Sequence, residues 1–179
     1  MGLLAAIMLA VYLANPFGTA SLDPRARLLG VALYKIPSRS MEPTLQQGDF
    51  ILANAARYAC AAPQVGDLVV FRFPPQRSIA YVKRIAGIPG DRVRIDGGRL
   101  YVNERPVTEP YLAQQALRQP DSLRMAERTV PADHYFMLGD NRDNSNDSRY
   151  WGYVPRADLV GRVFAVWYAE DTRRIGSVR

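Results

Sequence analysis

The clearest indication of the fold comes from residues 80–103, which read AYVKRIAGIPGDRVRIDGGRLYVN. The stretch begins with an apolar run, Tyr81–Ile88, and continues with two segments of alternating apolar residues, Arg92–Asp96 and Arg99–Asn103. The Asp96-Gly97-Gly98 step between those segments predicts a tight β-hairpin, because glycine supplies the positive φ that such turns require. The stretch therefore predicts three strands separated by short turns.

The same pattern continues on both sides of this stretch, where short apolar or alternating runs end at Gly, Pro or Asp turns. A helix is predicted at Tyr111–Arg118, stopped by Pro120, with a polar excursion after it and one helical turn at Arg156–Val160. The further predicted strands are Leu29–Ile36, Asp49–Asn54, Asp67–Phe73, Tyr135–Leu138 and Arg162–Tyr168. Many short strands with little helix favour a mainly β fold, a partly closed antiparallel sheet system of β-barrel-like shape.

Length and composition limit the kind of protein that this chain can form. Its 179 residues contain 48% hydrophobic and 22% charged side chains, which is near the globular average. One domain with a sizeable core fits this length, whereas a large multidomain enzyme, a disordered chain and a polytopic membrane protein do not. The net charge of +6 suits an anionic membrane surface or a nucleic acid, and it does not choose between them.

The first 22 residues carry no charged side chain, and Gly2–Ala14 is almost wholly apolar. Spanning a bilayer takes about 20 apolar residues, a length reached only if the softer stretch Asn15–Leu22 is included. A cleaved signal peptide and a membrane-dipping segment are alternatives, but no basic residue precedes the apolar run. We expect an uncleaved membrane anchor at residues 1–22.

Few residues are available for catalysis. Cys60 is the only cysteine, which excludes an internal disulfide and a cysteine-rich zinc site. His134 is the only histidine, and its place just before an apolar strand favours a strand-edge residue over a member of a catalytic triad. Neither metal-ligand spacing nor a phosphate-binding glycine loop is recognisable, so we expect no metal and no cofactor. A hydrolase built from this chain needs another base.

Lys83 is a candidate for that base. Only Lys35 and Lys83 are lysines among the 23 basic residues, and burial can make an ammonium neutral but not a guanidinium. Strand alternation places Lys83 and Arg84 on opposite faces, so one of the two must face inward. An inward Lys83 would have a lowered pKa, as a serine-activating base requires, whereas an inward Arg84 would need a buried partner. An exposed, solubilising strand lysine is the simpler alternative.

Two serines lie where a nucleophile would be exposed. The segment IPSRSMEPTL, residues 36–45, places Ser38 and Ser40 at the end of an apolar strand, before a turn that contains proline. A strand exit exposes a hydroxyl while the sheet holds the backbone, and nearby main-chain N–H groups can point at a developing oxyanion. Taken alone, this pattern is weak, because Ser and Pro are also ordinary loop residues.

Three segments of the chain form a pattern when they are taken together: Ser40-Met41-x-Pro43-Thr44-Leu45, then Lys83-Arg84-x-x-Gly87-x-Pro89-Gly90-Asp91, then GDNRDNSNDSRYWG at residues 139–152. They closely resemble the three successive motifs of the bacterial type I signal peptidases. They occur in the family's order, after an apolar N-terminal segment, and the resemblance covers the chain from about Leu3 to Val166. It implies a membrane-anchored serine endopeptidase with a Ser-Lys dyad that acts on exported preproteins outside the cytoplasm.

The resemblance implies a role for each residue at a matching motif position. Ser40 is the nucleophile, and Lys83 is the general base that takes its proton and later serves the leaving amine. Ser38 joins the Ser40 N–H in the oxyanion hole. Ser145 orients the lysine ammonium, which fits the requirement that a neutral amine be held in a fixed geometry by a third group.

The polar run Asp140–Ser148 has two further interpretations. Without the family it predicts a surface loop or a calcium-binding turn, with Asp140, Asp143 and Asp147 as candidate ligands. The calcium interpretation is disfavoured because the spacing is not that of an EF-hand loop. The resemblance instead implies that Asp147 and Arg149 form an ion pair that holds this segment beside the active site.

The resemblance also implies a substrate class. The family cleaves after small residues in an Ala-x-Ala pattern at the end of a signal peptide. An extended peptide that pairs along a strand edge places alternate side chains in shallow pockets, which selects small residues by exclusion. The apolar residues at the matching wall positions are Ile36, Pro37, Met41, Leu45, Tyr81 and Val82. Ordinary core packing would also explain most of them.

From the resemblance we expect the signal peptidase and LexA-like β fold, divided into three parts. These are an anchor at residues 1–22, a catalytic domain at 23–172 with a reduced accessory region at about 91–138, and a basic tail at 173–179. We expect the anchor in the bacterial cytoplasmic membrane, the catalytic domain on its extracytoplasmic side, and preproteins and membrane lipid as partners. Arg39 departs from the larger family members, which commonly have a small residue there.

Two other functions stay open. A specialised processing peptidase, such as one that matures a pilin or a plasmid-borne secretion substrate, belongs to the same chemical class. A non-catalytic, basic β protein that binds a nucleic acid is motivated by the charge of +6. No aromatic–basic RNA signature and no helix-turn-helix pattern supports it, so we expect no nucleic-acid partner.

Overall fold

A computed structural model describes residues 2–112 and 117–178 of the chain. In these ranges the dominant elements are short strands, which pair antiparallel in two sheets. The mainly β, antiparallel prediction is confirmed.

The elements are named here in chain order. The strands are β1 (Val31–Lys35), β2 (Phe50–Asn54), β3 (Leu68–Arg72), β4 (Ala80–Gly87), β5 (Arg92–Asp96), β6 (Arg99–Val102), β7 (Arg105–Pro106), β8 (Arg124–Thr129), β9 (His134–Leu138), β10 (Val154–Pro155), β11 (Leu159–Tyr168) and β12 (Gly176–Ser177). The α-helices are α1 (Gly2–Ala14), α2 (Pro24–Leu29), α3 (Arg57–Cys60), α4 (Pro120–Leu123) and α5 (Ser148–Trp151).

The larger sheet has the strand order β1-β2-β11-β3-β4-β9-β10, with β12 beside β11. Its first three strands pack over a buried apolar cluster that includes Met41, Leu45 and Ile51. Across the described residues the strand order runs from β1 to β10 without closing on itself. The predicted partial closure stays a prediction. At the β10 end Pro155 has no backbone N–H to donate to a further strand, which limits extension of the sheet there.

The smaller sheet has the order β7-β6-β5-β8 and contains the predicted hairpin. Asp96 pairs with Arg99, and Gly97 and Gly98 between them have φ values of +57° and +78°, the conformation that favours glycine. The smaller sheet shares a buried apolar cluster with the larger one; the cluster contains Val93, Ile95, Leu100 and Met125 beside Ala86, Phe136 and Leu138. The two sheets are therefore joined through a common core.

All the predicted strands are present, with ends that differ by up to three residues. The sequence did not predict β7, β8, β10 and β12. Strand β8 lies in the segment predicted as a polar excursion, and it forms by pairing with β5. Most of its residues are exposed and most are polar, so its sequence lacks the apolar alternation that indicates a strand. Residues 113–116, half of the predicted helix Tyr111–Arg118, lie outside the described residues. Of the other half, Tyr111 and Leu112 belong to a 3-10 turn, Pro110–Leu112, and Leu117 and Arg118 are not helical. The predicted turn at Arg156–Val160 is a 3-10 turn at Arg156–Asp158, followed directly by β11.

Helix α1 is 13 residues long and carries exposed apolar side chains such as Leu3, Leu4 and Leu13. Within residues 2–112 and 117–178, no helix combines the length and the apolar character that crossing a membrane requires. The segment after α1 lies against the larger sheet, where the Thr19 hydroxyl donates to the Val160 carbonyl oxygen at 2.8 Å. At the other end of the chain, Arg174 Nη2 donates to Asp49 Oδ2 at 2.7 Å.

Candidate active site

Ser40 and Lys83 lie far apart in the chain and meet in the structure. Lys83 Nζ on β4 lies 2.6 Å from Ser40 Oγ, which follows the exit of β1. Ser40 is only 8% exposed and Lys83 only 4% exposed. A hydroxyl and an amine at hydrogen-bonding distance in dry surroundings have the geometry that proton transfer from serine to lysine requires.

Burial sets the proton affinity of this lysine. It lowers the pKa of Lys83 from the ordinary 10.5 to about 8, because the charged ammonium loses its hydration. Asp147 and Asp140 oppose this effect and raise the pKa, whereas Arg149 lowers it further. Burial is the largest of these effects, so Lys83 has a substantial neutral fraction at mildly alkaline pH. Lys83 is therefore buried, which is one of the alternatives that strand alternation left open.

Arg84 is buried as well, although alternation predicted only one inward residue of the two. Both faces of β4 are covered, since the adjacent residues Ile85 and Ala86 belong to different apolar clusters. Arg84 has the buried partner that an inward arginine needs: its Nε and Nη2 donate to the two carboxylate oxygens of Asp140 at 2.9 and 2.6 Å. This bidentate pair ties β4 to the segment that follows β9.

That segment, residues 139–149, packs directly on the nucleophile. The Asn141 N–H donates to the Ser40 carbonyl oxygen at 3.1 Å. A Cβ atom added at Gly139 would lie 2.6 Å from the same oxygen and 2.1 Å from Ser145 Oγ, so only glycine fits there. The Gly139 N–H donates to Asp147 Oδ2 at 3.0 Å. The segment is therefore fixed against Ser40 at several points.

The predicted ion pair of Asp147 and Arg149 is present and buried. Arg149 Nε lies 2.8 Å from Asp147 Oδ1, and Nη2 lies 3.0 Å from Oδ2. The other two carboxylates of the run have separate partners, because Asp140 binds Arg84 and Asp143 accepts backbone N–H groups just before α4. In the part of the chain that the structure describes, no group of three or more His, Cys, Asp or Glu side chains is placed to hold a metal ion.

The two supporting serines differ in their surroundings. Ser38 Oγ is exposed at the rim and lies 3.2 Å from Ser40 Oγ. Ser145 Oγ is buried beside Gly139 and has no hydrogen-bond partner among the described residues. The role of Ser145 in orienting the lysine therefore stays a prediction, as does the oxyanion role of Ser38.

The six predicted wall residues fall into two groups. Ile36, Met41 and Leu45 are buried in the core beneath β1 and β2. Tyr81 and Val82 are half-buried on β4, and Pro37 is exposed. Strand β9 pairs with β4 only from Arg84 onward, so among the described residues the earlier part of β4 has no strand on that side.

Three side chains around the site were not assigned roles by the sequence analysis. Thr44 donates to Asp140 Oδ2 at 2.5 Å, Arg84 binds the same carboxylate, and Glu109 binds Arg142 of the segment on Ser40. For Arg84 a signal existed, because a buried arginine needs a partner. His134 begins β9 and its Nδ1 contacts the Ala132 carbonyl oxygen at 2.7 Å, the predicted strand-edge position. Arg39 is exposed beside Ser40 and binds Glu42 at 3.0 Å.

The amino-acid sequence of the chain is similar to those of known proteins. The family model described as signal peptidase, peptidase S26, matches residues 3–168. Signal peptidase I of Pseudomonas aeruginosa is 42% identical, over 75% of this chain and 63% of that protein. Probable signal peptidase I-2 of a Synechocystis species is 43% identical, over 72% of this chain and 59% of that protein.

The crystal structure of a signal peptidase I from Enterococcus faecalis is 32% identical in sequence; it matches with a TM-score of 0.49, over 57% of this chain and 97% of that chain. The matched part of this chain spans less than two thirds of the length of the two relatives above, at 63% and 59%.

Proposed function

The chain belongs to the signal peptidase family, peptidase S26, and on that premise we propose that it is a serine endopeptidase that removes N-terminal signal peptides from exported preproteins. The observation that carries the proposal is the contact of 2.6 Å between Lys83 Nζ and Ser40 Oγ in a buried site. In this proposal Ser40 is the nucleophile and Lys83 the general base.

The reaction begins when neutral Lys83 accepts the Ser40 proton as Oγ attacks the carbonyl carbon of the scissile peptide bond. The negative charge that develops on the carbonyl oxygen is stabilised by the Ser40 N–H and the Ser38 hydroxyl. The Lys83 ammonium then donates its proton to the leaving amine, which leaves an ester on Ser40. A water molecule that gives a proton to Lys83 attacks this ester. The bond between the acyl carbon and Ser40 Oγ then breaks, Lys83 returns the proton to Oγ, and the second product leaves as a carboxylic acid.

The pKa of Lys83 supports this role at moderate pH. A base with a pKa of about 8 is partly neutral where an ordinary lysine is almost fully charged. We expect kcat/KM to rise with pH until Lys83 is deprotonated and to level off above about pH 8.

The substrate in this proposal is an extended peptide that ends in an Ala-x-Ala pattern. The open side of β4 at Tyr81 and Val82 offers backbone groups to such a peptide, as in strand addition. Met41 and Leu45 have no exposed surface, so they would support this edge from the core, and Tyr81 and Val82 are the predicted wall residues that a bound peptide could contact.

We also propose that residues 1–22 anchor the protein to the bacterial cytoplasmic membrane, with the catalytic domain at 23–172 on the extracytoplasmic side. The motivation is the apolar surface of α1, on which residues such as Leu3, Leu4 and Leu13 are exposed. Membrane lipid is then a partner together with the preproteins.

The test is cleavage of a preprotein whose signal ends in Ala-x-Ala, in detergent between pH 7 and 9, with the product N-termini sequenced. We expect the wild type to cut after the last small residue and Ser40→Ala and Lys83→Arg to lose about four orders of magnitude of rate. Arginine cannot act as a base, so substantial activity in Lys83→Arg would refute the dyad.

A panel of other precursors separates the possible outcomes. Selective cleavage of one precursor class would indicate the specialised peptidase. Salt-sensitive binding of an oligonucleotide with no cleavage of any precursor would favour the nucleic-acid-binding alternative.

A further inference from the structure

Glu109 is a buried carboxylate outside the three motifs. It lies in residues 107–112, here called the strap, which follow β7 of the smaller sheet and contact arginines beside Ser40 and Lys83. Its side chain is only 5% exposed and forms an ion pair with Arg142 Nη2. It also accepts the Tyr111 hydroxyl at 2.7 Å. Burying a carboxylate costs free energy unless it is paired in this way, so Glu109 and Arg142 depend on each other for their buried positions.

The partner of Glu109 belongs to the segment that covers the nucleophile. Arg142 is 1% exposed, and its Nε donates to the Gly139 carbonyl oxygen at 3.1 Å. The Arg142 carbonyl oxygen in turn accepts Arg149 Nη2 at 2.6 Å. Arg142 thus connects the start of the segment, beside Ser40, with the buried ion pair at its end.

The strap makes a second contact with the same site. The guanidinium of Arg84 lies 4.3 Å from the ring centre of Tyr111, a cation–π contact. Arg84 binds Asp140 of the segment on Ser40. The strap therefore touches both arginines, 84 and 142, that hold this segment in place.

We propose that Glu109 is a positioning residue: through Arg142 it keeps residues 139–149 seated on Ser40, and so keeps the Ser40–Lys83 pair dry and aligned. The inference rests on the proposed function for its catalytic consequence. Glu109 touches neither Ser40 nor Lys83, and it acts through Arg142.

Neutralising Glu109 has a defined physical effect. It leaves the Arg142 guanidinium buried without its counter-charge, and the free energy is lowered if Arg142 moves toward water. Gly139 and Asn141, which pack on Ser40, then move together with Arg142. Their movement admits water to Lys83. The groups that face Lys83 are Ser40, the Tyr81 ring, Asp140, Asp147 and Arg149. Because burial is what lowers the pKa of Lys83, hydration raises that pKa toward 10.5.

The experiment uses the two-lysine composition of the chain. Lysine labelled with ¹³C at the ε position gives two NMR signals, from Lys35 and Lys83, and Lys35→Arg assigns them. We expect Glu109→Gln to raise the pKa of Lys83 by about half a unit or more. The matched control is Glu104→Gln, which removes a 55% exposed carboxylate bound to Arg94 in the smaller sheet and leaves the pKa unchanged.

Kinetics supply the second readout. For Glu109→Gln we expect kcat to fall about tenfold or more while KM stays within about twofold, since the misplaced groups act on the reacting atoms and not on the peptide-binding edge. Glu109→Asp retains the charge with a shorter reach. We expect its kcat and its Lys83 pKa to lie between those of Glu109→Gln and the wild type. It also serves as the test variant if Glu109→Gln does not fold.

A folded Glu109→Gln with an unchanged or lowered pKa of Lys83 would overturn the proposal, even if its unfolding midpoint drops. A wild type that cleaves no precursor would refute the proposed function alone, because the NMR titration tests the positioning without turnover.

Discussion

The two sheets use charged side chains in opposite ways. Around β4 the cations Lys83, Arg84 and Arg149 are at least nine-tenths buried, and the shortest carboxylate contacts of the two arginines are 2.6 and 2.8 Å. In the smaller sheet Arg92 and Arg124 are exposed, and their carboxylate partners lie 3.5 and 3.9 Å away. Arginine is therefore buried and paired with carboxylates around β4, whereas at these two positions of the smaller sheet it meets solvent.

The buried charges around β4 and the exposed charges of the smaller sheet differ in the free energy that desolvation costs. Removing charges from water costs several kcal/mol per ion, which only well-placed partners offset. An exposed pair contributes about 0–1 kcal/mol, because water and salt screen it. The buried charges around β4 lie beside Ser40 and Lys83, so the cost is incurred where it holds these two side chains in place.

The largest effect on this comparison is expected from Arg84→Ala. The substitution leaves Asp140 buried without its cation, which should lower the free energy of unfolding by about 3–5 kcal/mol. Chemical denaturation with linear extrapolation measures it. A decrease in the free energy of unfolding of less than about 1 kcal/mol would contradict this expectation. It would show that buried Asp140 does not need the charge of Arg84 and that buried and exposed ion pairs contribute similarly to stability here.

Lys83→Met should produce a smaller change, of opposite sign and dependent on pH. The folded-state pKa of about 8 lies below the unfolded value of 10.5, so below pH 8 the folded chain binds this proton less well and is destabilised. The substitution should therefore stabilise the protein by about 3 kcal/mol at pH 6 relative to its effect at pH 11, with the gain fading between pH 8 and 10.5.

Unfolding curves of Lys83→Met and wild type at several pH values test this. Lys35→Met, at an exposed position of β1, is the matched control and should show no such trend. A gain from Lys83→Met that does not vary with pH would mean that burial does not set the proton affinity of Lys83.

Arg124→Ala should have the smallest effect, and it is the counterpart of Arg84→Ala in the other sheet. The Arg124 side chain is 85% exposed and lies 3.9 Å from Asp96. We expect a change within about 0.5 kcal/mol, measured by the same denaturation experiment. A loss as large as that of Arg84→Ala would remove the distinction between the two sheets.

How much the sequence predicted depends on how local the signal is. The hairpin at Asp96-Gly97-Gly98 was predicted because the turn itself needs a positive φ, which its own glycines supply. Strand β8 was not, because Arg124–Thr129 becomes a strand only by pairing with β5. Alternation failed at Arg84 because a second apolar cluster covers the other face of β4.

The sequence by itself determined the longer strands except β8, the family motifs and the small set of candidate bases, since the chain has one histidine and two lysines. Only the tertiary structure decided that Lys83 Nζ lies 2.6 Å from Ser40 Oγ, that Asp140 pairs with Arg84, and that Glu109 reaches Arg142. The physical reason is that the proton affinity of a lysine and the satisfaction of a buried charge depend on everything that excludes water around them. Those surroundings come from segments far apart in the chain.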